Sequence, residues 1–205
     1  MNYIKIINII IGAFISLACT NSTQNKPSAD LTSQQSTSNP TNVGQSSDSS
    51  KWADNFLELK KAISTGDRNA VKSFIDFPIK NKGNEIWYLA DSKLVMEISP
   101  KEIKPFTEAD FDKYFSSIFA LDLRKTFEKL NVEEFFKTNK STSPEIEVVK
   151  GSKSKLEASF DNSKHKITLA LVTTLAEQAN SKFTIYYKFD VLNNQNIKFG
   201  EVHVE

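Results

Sequence analysis

The sequence predicts an α+β domain, with helices first and an antiparallel sheet last. Three observations carry that prediction. In the first half of the domain apolar residues recur at helical spacing: Trp52, Phe56, Leu59 and Ile63, then Phe111, Tyr114, Phe115, Ile118 and Phe119. From Glu145 onward the period falls to two, as in Leu156, Ala158 and Phe160, or Phe183, Ile185, Tyr187, Phe189 and Val191. Clusters of turn formers, Asp161-Asn162-Ser163-Lys164 and Asn193-Asn194-Gln195-Asn196, separate the alternating runs. Helices followed by a meander fit one arrangement, in which the helices cover one face of the sheet.

The chain reaches that domain through two other segments. Lys5 is followed by a run, Ile6–Ala18, that is apolar except for Asn8 and Ser16. A basic start before about a dozen apolar residues reads as a secretory signal. The run is short of the roughly 20 residues a membrane span needs. It ends Ser16-Leu17-Ala18-Cys19, and Cys19 is the only cysteine of the 205 residues. This ending resembles the lipobox of bacterial lipoproteins. Ala18 fits the small residue before the cysteine, while Leu17 stands one place nearer to it than the usual leucine. The resemblance implies cleavage before Cys19, a diacylglycerol on its sulfur and an acyl group on its amine. Several chains on one residue make a stable anchor where one alone holds marginally. Residues 1–18 are thus expected to be a signal peptide. No acidic cluster follows Cys19, of the kind that resembles a surface-export signal in some lipoproteins. The protein is therefore expected at the outer membrane, facing the periplasm.

Residues 19–50 read as a tether. Thr20–Ser50 is mostly Ser, Thr, Asn and Gln, with only Ala29, Leu31 and Val43 as apolar members. Such a stretch cannot bury enough apolar surface to offset its ordering entropy. As a flexible coil it spans about 30 Å. The remainder, residues 51–205, is long enough for one domain with a substantial core. The net charge is +1, which argues against a nucleic-acid partner, since that would call for a basic stripe. A lone cysteine excludes an internal disulfide. Two histidines and no cysteine in the domain argue against a structural zinc site.

Within the domain, Gly66 is expected to close the first helix and Asp67 to cap a second one carrying Val71, Phe74 and Ile75. Asp76-Phe77-Pro78 ends it. Ile86–Leu89 and Leu94–Ile98 read as two strands of a hairpin. Thr107 and Asp110 form a capping box, with Phe106 and Phe111 at the positions of a hydrophobic staple. Leu123, Phe127 and Leu130 extend the helical region, Asn131–Lys137 is ambiguous, and Thr138–Pro144 reads as loop. Strands follow over 146–148, 156–160, 167–175, 183–191 and 197–204.

Ala62-Ile63-Ser64-Thr65-Gly66-Asp67, followed by Val71, Phe74 and Phe77-Pro78, resembles the opening of bacterial members of the nuclear transport factor 2-like family. The order of elements is similar across residues 51–205. The resemblance implies a cone-shaped α+β domain with a pocket at its wide end. That family includes isomerases, dehydratases, ligand binders and domains without known activity, so the fold does not give the function.

No nucleotide-binding, nucleophile-elbow or zinc-protease motif occurs, and nothing calls for a cofactor or a metal. Four residues are candidates for a pocket. If Phe199 faces inward, Glu201 and His203 follow it on the same face, where a carboxylate beside an imidazole could do acid–base work; otherwise Val202 and Val204 face inward. Tyr187, on an apolar face, could offer a phenol or serve as core. Asp76 stands at a helix end where the resemblance implies an acid, or simply ends the helix. His165 and the run Lys150, Lys153 and Lys155 read as solvated surface. The expected function is a membrane-tethered domain that binds a protein or a small apolar ligand without catalysis. A small acid–base enzyme is the first alternative. An adaptor using the outer sheet face at Thr184 and Tyr186 is the second.

Overall fold

The computed structural model describes residues 50–80, 85–97, 102–176, 181–193 and 195–205. The chain divides into two units, Met1–Ser46 and Ser47–Glu205. The first unit, which includes the expected signal and most of the expected tether, lies outside the described residues. Among the described residues no helix is long and apolar enough to cross a membrane.

The helical part begins with α1 (Ser50–Thr65) and α2 (Arg68–Lys72). Phe56, Leu59, Ala62 and Ile63 on α1 are buried at the expected spacing. Gly66 ends α1 at φ +71°. Its N–H donates to the Ile63 carbonyl and that of Asp67 to the Ala62 carbonyl, the bond pair of a Schellman turn. The Asp67 side chain then accepts from the Ala70 N–H at 3.0 Å and starts α2. Further on come α3 (Ile86–Ala90), α4 (Ser92–Glu97) and α5 (Glu108–Ile118). The capping box at Thr107 and Asp110 is present, and both staple residues, Phe106 and Phe111, are fully buried. The helical part ends with α6 (Leu121–Glu128) and α7 (Val132–Thr138).

Six strands follow: β1 (Lys140–Thr142), β2 (Ile146–Val149), β3 (Ser152–Asp161), β4 (Lys166–Leu175), β5 (Ser181–Leu192) and β6 (Asn196–Val204). Every pairing is antiparallel, and the order is β1-β3-β4-β5-β6, with β2 sharing the β1 side of β3. The domain is thus α+β, with an open, curved sheet. At the β3–β4 turn the Asp161 carboxylate accepts from the Ser163 hydroxyl and from the Ser163 and Lys164 N–H groups. These bonds, the Ser163 hydroxyl first among them, hold its pKa down at about 2.

Two expectations are corrected, and one ambiguous stretch is resolved. The Ile86–Leu89 and Leu94–Ile98 hairpin is instead the helix pair α3 and α4, as far as the run is described. Aromatic and β-branched residues favour a strand locally, but Ile86, Trp87, Leu89 and Ala90 are all buried, which is helical spacing. The Trp87 indole N–H donates to the Lys104 carbonyl at 2.9 Å and its ring packs on Phe106, so tertiary contacts decide the segment. Asn131–Lys137 contains a helix, capped by Asn131 accepting from the Glu134 N–H. The loop over 138–144 contains β1, whose buried member, Ser141, donates to Glu134 Oε2 at 3.0 Å.

The helices cover the inner face of the sheet, with α6 on β2 and β3, α7 on β1, and α1 and α3 on β6. Strand β6 is clasped along its free edge. Its Phe199 N–H donates to the Phe74 carbonyl, and its Val202 carbonyl accepts from the Glu85 N–H. The Val204 N–H donates to the Glu85 carboxylate. The Lys198 ammonium donates to the Ser73 carbonyl at 3.1 Å. On the turn before β6, Gln195 accepts from the Asn55 side-chain amide at 2.7 Å. A sheet edge occupied in this way offers little template for another strand.

Candidate functional site

The inner face is not uniformly apolar. Neighbours across its strands form rows: Ala158, Leu169, Tyr187 and Val202 in one, Leu156, Leu171, Ile185 and Val204 in the next, and Ser154, Thr173 and Phe183 in a third. The first row is sealed, each member being at most 3 % exposed. In the second row, burial relaxes at Ile185 and Val204; in the third it relaxes at Phe183, and Leu175 beyond is half-buried too. The inner face therefore has a half-covered apolar end. At its floor two hydroxyls remain fully buried, Ser154 Oγ and Thr173 Oγ1, 3.0 Å apart.

Asp122 completes that floor. It stands in the first turn of α6, where its Oδ1 accepts from the Leu123 N–H at 2.9 Å and its carbonyl accepts from the buried Thr126 hydroxyl. Its carboxyl is half-buried. Desolvation is the largest influence and pushes its pKa up; bonds from its own turn and from the Ser154 hydroxyl pull the other way without cancelling it. With Asp122 ionised and accepting, Ser154 donates to it and Thr173 donates to Ser154, one chain of hydroxyls ending on one carboxylate. Among the described residues Asp122 has no ion-pair partner.

A stability prediction follows from the sign of that shift. A raised folded-state pKa means that the stability tied to the neutral carboxyl is intact below the ordinary Asp value, about 3.9, and is lost as pH rises through the folded value. Asp122→Asn removes the ionisation and keeps the shape. The variant is expected to melt above the wild type at pH 7, with the gap closing below about pH 3.9. Thermal denaturation at pH 7, 5 and 3.5 checks this. A constant gap would show that ionisation is not what the site penalises.

The residues singled out from the sequence lie elsewhere. Tyr187 is 1 % exposed; its hydroxyl donates to the Ile118 carbonyl at 2.7 Å and its ring stacks on Phe119. Burial, then the Asp122 charge, pushes its pKa well up. Glu201 and His203 do not follow Phe199 inward. Lys188 pairs with Glu201 and Phe189 with Phe199, so Gly200 is one extra residue and the alternation flips there. Phe199 and Val202 are both buried, while Glu201 and His203 stand on the outer face. Glu201 pairs with Lys188 at 2.6 Å, which lowers its pKa. His203 lies between two carboxylates, Nδ1 3.3 Å from Glu85 and Nε2 3.3 Å from Glu205, and the Tyr186 ring stacks on it. Asp76 is an exposed partner of Lys198 at 2.8 Å. His165 is exposed. Lys153 and Lys155 face Glu145 and Glu157.

Asp122, Ser154 and Thr173 were not singled out by sequence reasoning, although Thr173 lies on the inward alternation of its strand and is a polar residue there. Among the described residues no group of His, Cys, Asp and Glu could hold a metal ion. No family model matches this chain, and neither a curated protein nor a solved structure matches it. The site therefore has to be read from its own chemistry.

Proposed function

We propose that this chain is a lipid-anchored protein of the bacterial envelope whose domain binds a small, largely apolar ligand without transforming it. In this reading Cys19 carries the lipid, residues 19–50 are the tether, and the domain is a cone of the nuclear transport factor 2-like kind whose wide end is the half-covered inner face. One observation carries the binding reading: Leu175, Phe183, Ile185 and Val204 form an apolar rim over a floor of buried hydroxyls beside Asp122. Apolar walls with a few convergent polar groups suit ligand binding.

Asp122 also favours a second reading, a small acid–base enzyme, because a carboxyl with a raised pKa is the kind used for proton transfer. The deep interior argues for binding first. Tyr187 spends its hydroxyl on the Ile118 carbonyl, and the imidazole of His203 is on the other side of the sheet.

The full chain, extracted gently from its native host, should show in its native mass spectrum a small-molecule adduct on a protein bearing the lipid mass at Cys19. Cys19→Ser should lose the lipid mass and leave the membrane fraction. A protein that never carries an adduct, from cells or after exposure to host lipid extract, would sink the binding reading. A lipid-free wild type would sink the anchor.

A further inference from the structure

We propose that the ligand taken at the half-covered end of the inner face is an amphiphilic amine, its ammonium paired with Asp122 and its apolar body lying over Phe183, Ile185, Leu175 and Val204. This rests on the binding reading above and names the chemistry of the same site.

Charge complementarity selects the amine. Elsewhere on the sheet several charges are matched: Lys166 with Asp190, Lys188 with Glu201, Lys155 with Glu157. Asp122, the carboxylate tucked between α6 and the sheet, has no cation facing it among the described residues. Tyr187 supplies no counter-charge: burial first, and then the Asp122 charge, push its pKa well up. A desolvated carboxylate without a counter-charge is costly to keep. The hydroxyl chain offsets part of that cost, because Ser154 donates into the site and Thr173 supports Ser154. A ligand ammonium would supply the missing charge and donate to a carboxylate already held by the Leu123 N–H. A carboxylate or phosphate ligand would meet repulsion at the same point. A neutral alcohol would bind through the rim but leave Asp122 unpaired.

The rim fixes the rest of the ligand. Ser154, Thr173 and Phe183 are successive neighbours across three strands. With strands about 4.8 Å apart, Phe183 stands about 5 Å across from Thr173 and about 10 Å from Ser154, a span along which a medium-length chain or one aromatic ring would lie.

The test uses the full chain with Cys19→Ser, so that no attached lipid competes, and three probes of matched length: n-octylamine, n-octanol and octanoate at pH 7. Methyl NMR signals of Thr173, Leu175, Ile185 and Val204 report binding, and those of Ile63 and Val71 report general perturbation. Octylamine is expected to move the first set alone and to bind at least tenfold tighter than octanol, with octanoate weakest. Asp122→Asn should abolish the preference, bringing octylamine and octanol to the same affinity. If octanol binds as tightly as octylamine, or if Asp122→Asn leaves the amine preference intact, the amine assignment falls while the binding reading stands. Silence of these methyls toward all three probes, or shifts spread equally to Ile63 and Val71, also overturns the amine assignment. The adduct in the native mass spectrum then decides the binding reading separately.

Discussion

Phe56→Ala is expected to destabilise the domain by about 3–5 kcal/mol. Phe56 is fully buried and its ring meets four others: Phe135 stacked at 4.7 Å, with Phe127 at 5.7 Å, Phe136 at 5.8 Å and Trp52 at 6.4 Å. These rings come from α1, α6 and the α7 segment, so one truncation opens a void where three helices converge. The surrounding rings are held on separate elements and cannot all collapse into it, which places the cost high in its range. A domain of this size has a total stability of about 5–15 kcal/mol, so the loss is a large fraction of the whole. Urea unfolding should show the midpoint falling with the slope unchanged. Leu57→Ala, one residue along and 42 % exposed, is the control and should stay within about 0.5 kcal/mol. Equal effects at the two positions would mean that the aromatic cluster is not packed as described.

Gly66→Ala should cost about 2–3 kcal/mol, from two sources. At φ +71° an L side chain pays roughly 1–2 kcal/mol for the left-handed conformation. The new methyl would also lie 2.5 Å from the Arg124 guanidinium, which must leave. Its departure breaks the bond from Arg124 to the Thr65 carbonyl, 3.0 Å long, worth about 1 kcal/mol. The two sources separate in a double-mutant cycle with Arg124→Ala. In the Arg124→Ala background Gly66→Ala should cost only the conformational part, leaving about 1 kcal/mol of coupling measurable by chemical denaturation. Additive effects would show that Arg124 does not rest on Gly66.

These two positions differ in how they appear in the sequence. Gly66 reads directly as a helix-ending residue, because only a left-handed residue lets the Asp67 and Gly66 N–H groups reach back into the last turn. The aromatic hub is legible in part: Trp52 and Phe56 share a helical face, but nothing local says that Phe56 stacks on Phe135, 79 residues further along the chain. The same limit explains the misread segment at 86–97. Ile86-Trp87-Tyr88-Leu89 has the composition of a strand, and the bond from Trp87 to Lys104 that favours a helix is a tertiary contact. Strand β1 lacks apolar residues altogether and is invisible to any hydrophobic pattern.

The site was less legible than the fold, for a related reason. Alternation assigns faces only while the register is unbroken. One extra residue at Gly200 sends His203 and Glu201 to the outer face, although a glycine inside a strand is itself a hint of a bulge. Asp122 looks like an ordinary acid in the first turn of a helix, favourable there on its own terms. That this turn presses against Ser154 depends on how α6 lies across β3, which no local spacing encodes.

The clasp on β6 has a consequence in time. Asn55 and Gln195 are 140 residues apart in the chain, Lys198 and Asp76 are 122 apart, and Val204 and Glu85 are 119 apart. The residues that close the domain are therefore synthesised more than a hundred residues after their partners. Contacts so distant in sequence demand that most loop entropy be lost before they form, which slows folding. A chain delivered N-terminus first carries α1, α2 and α3 without their strand until β6 has been made. During that interval the inner faces of these helices are open to a chaperone, and a product truncated before Asn196 would never close them.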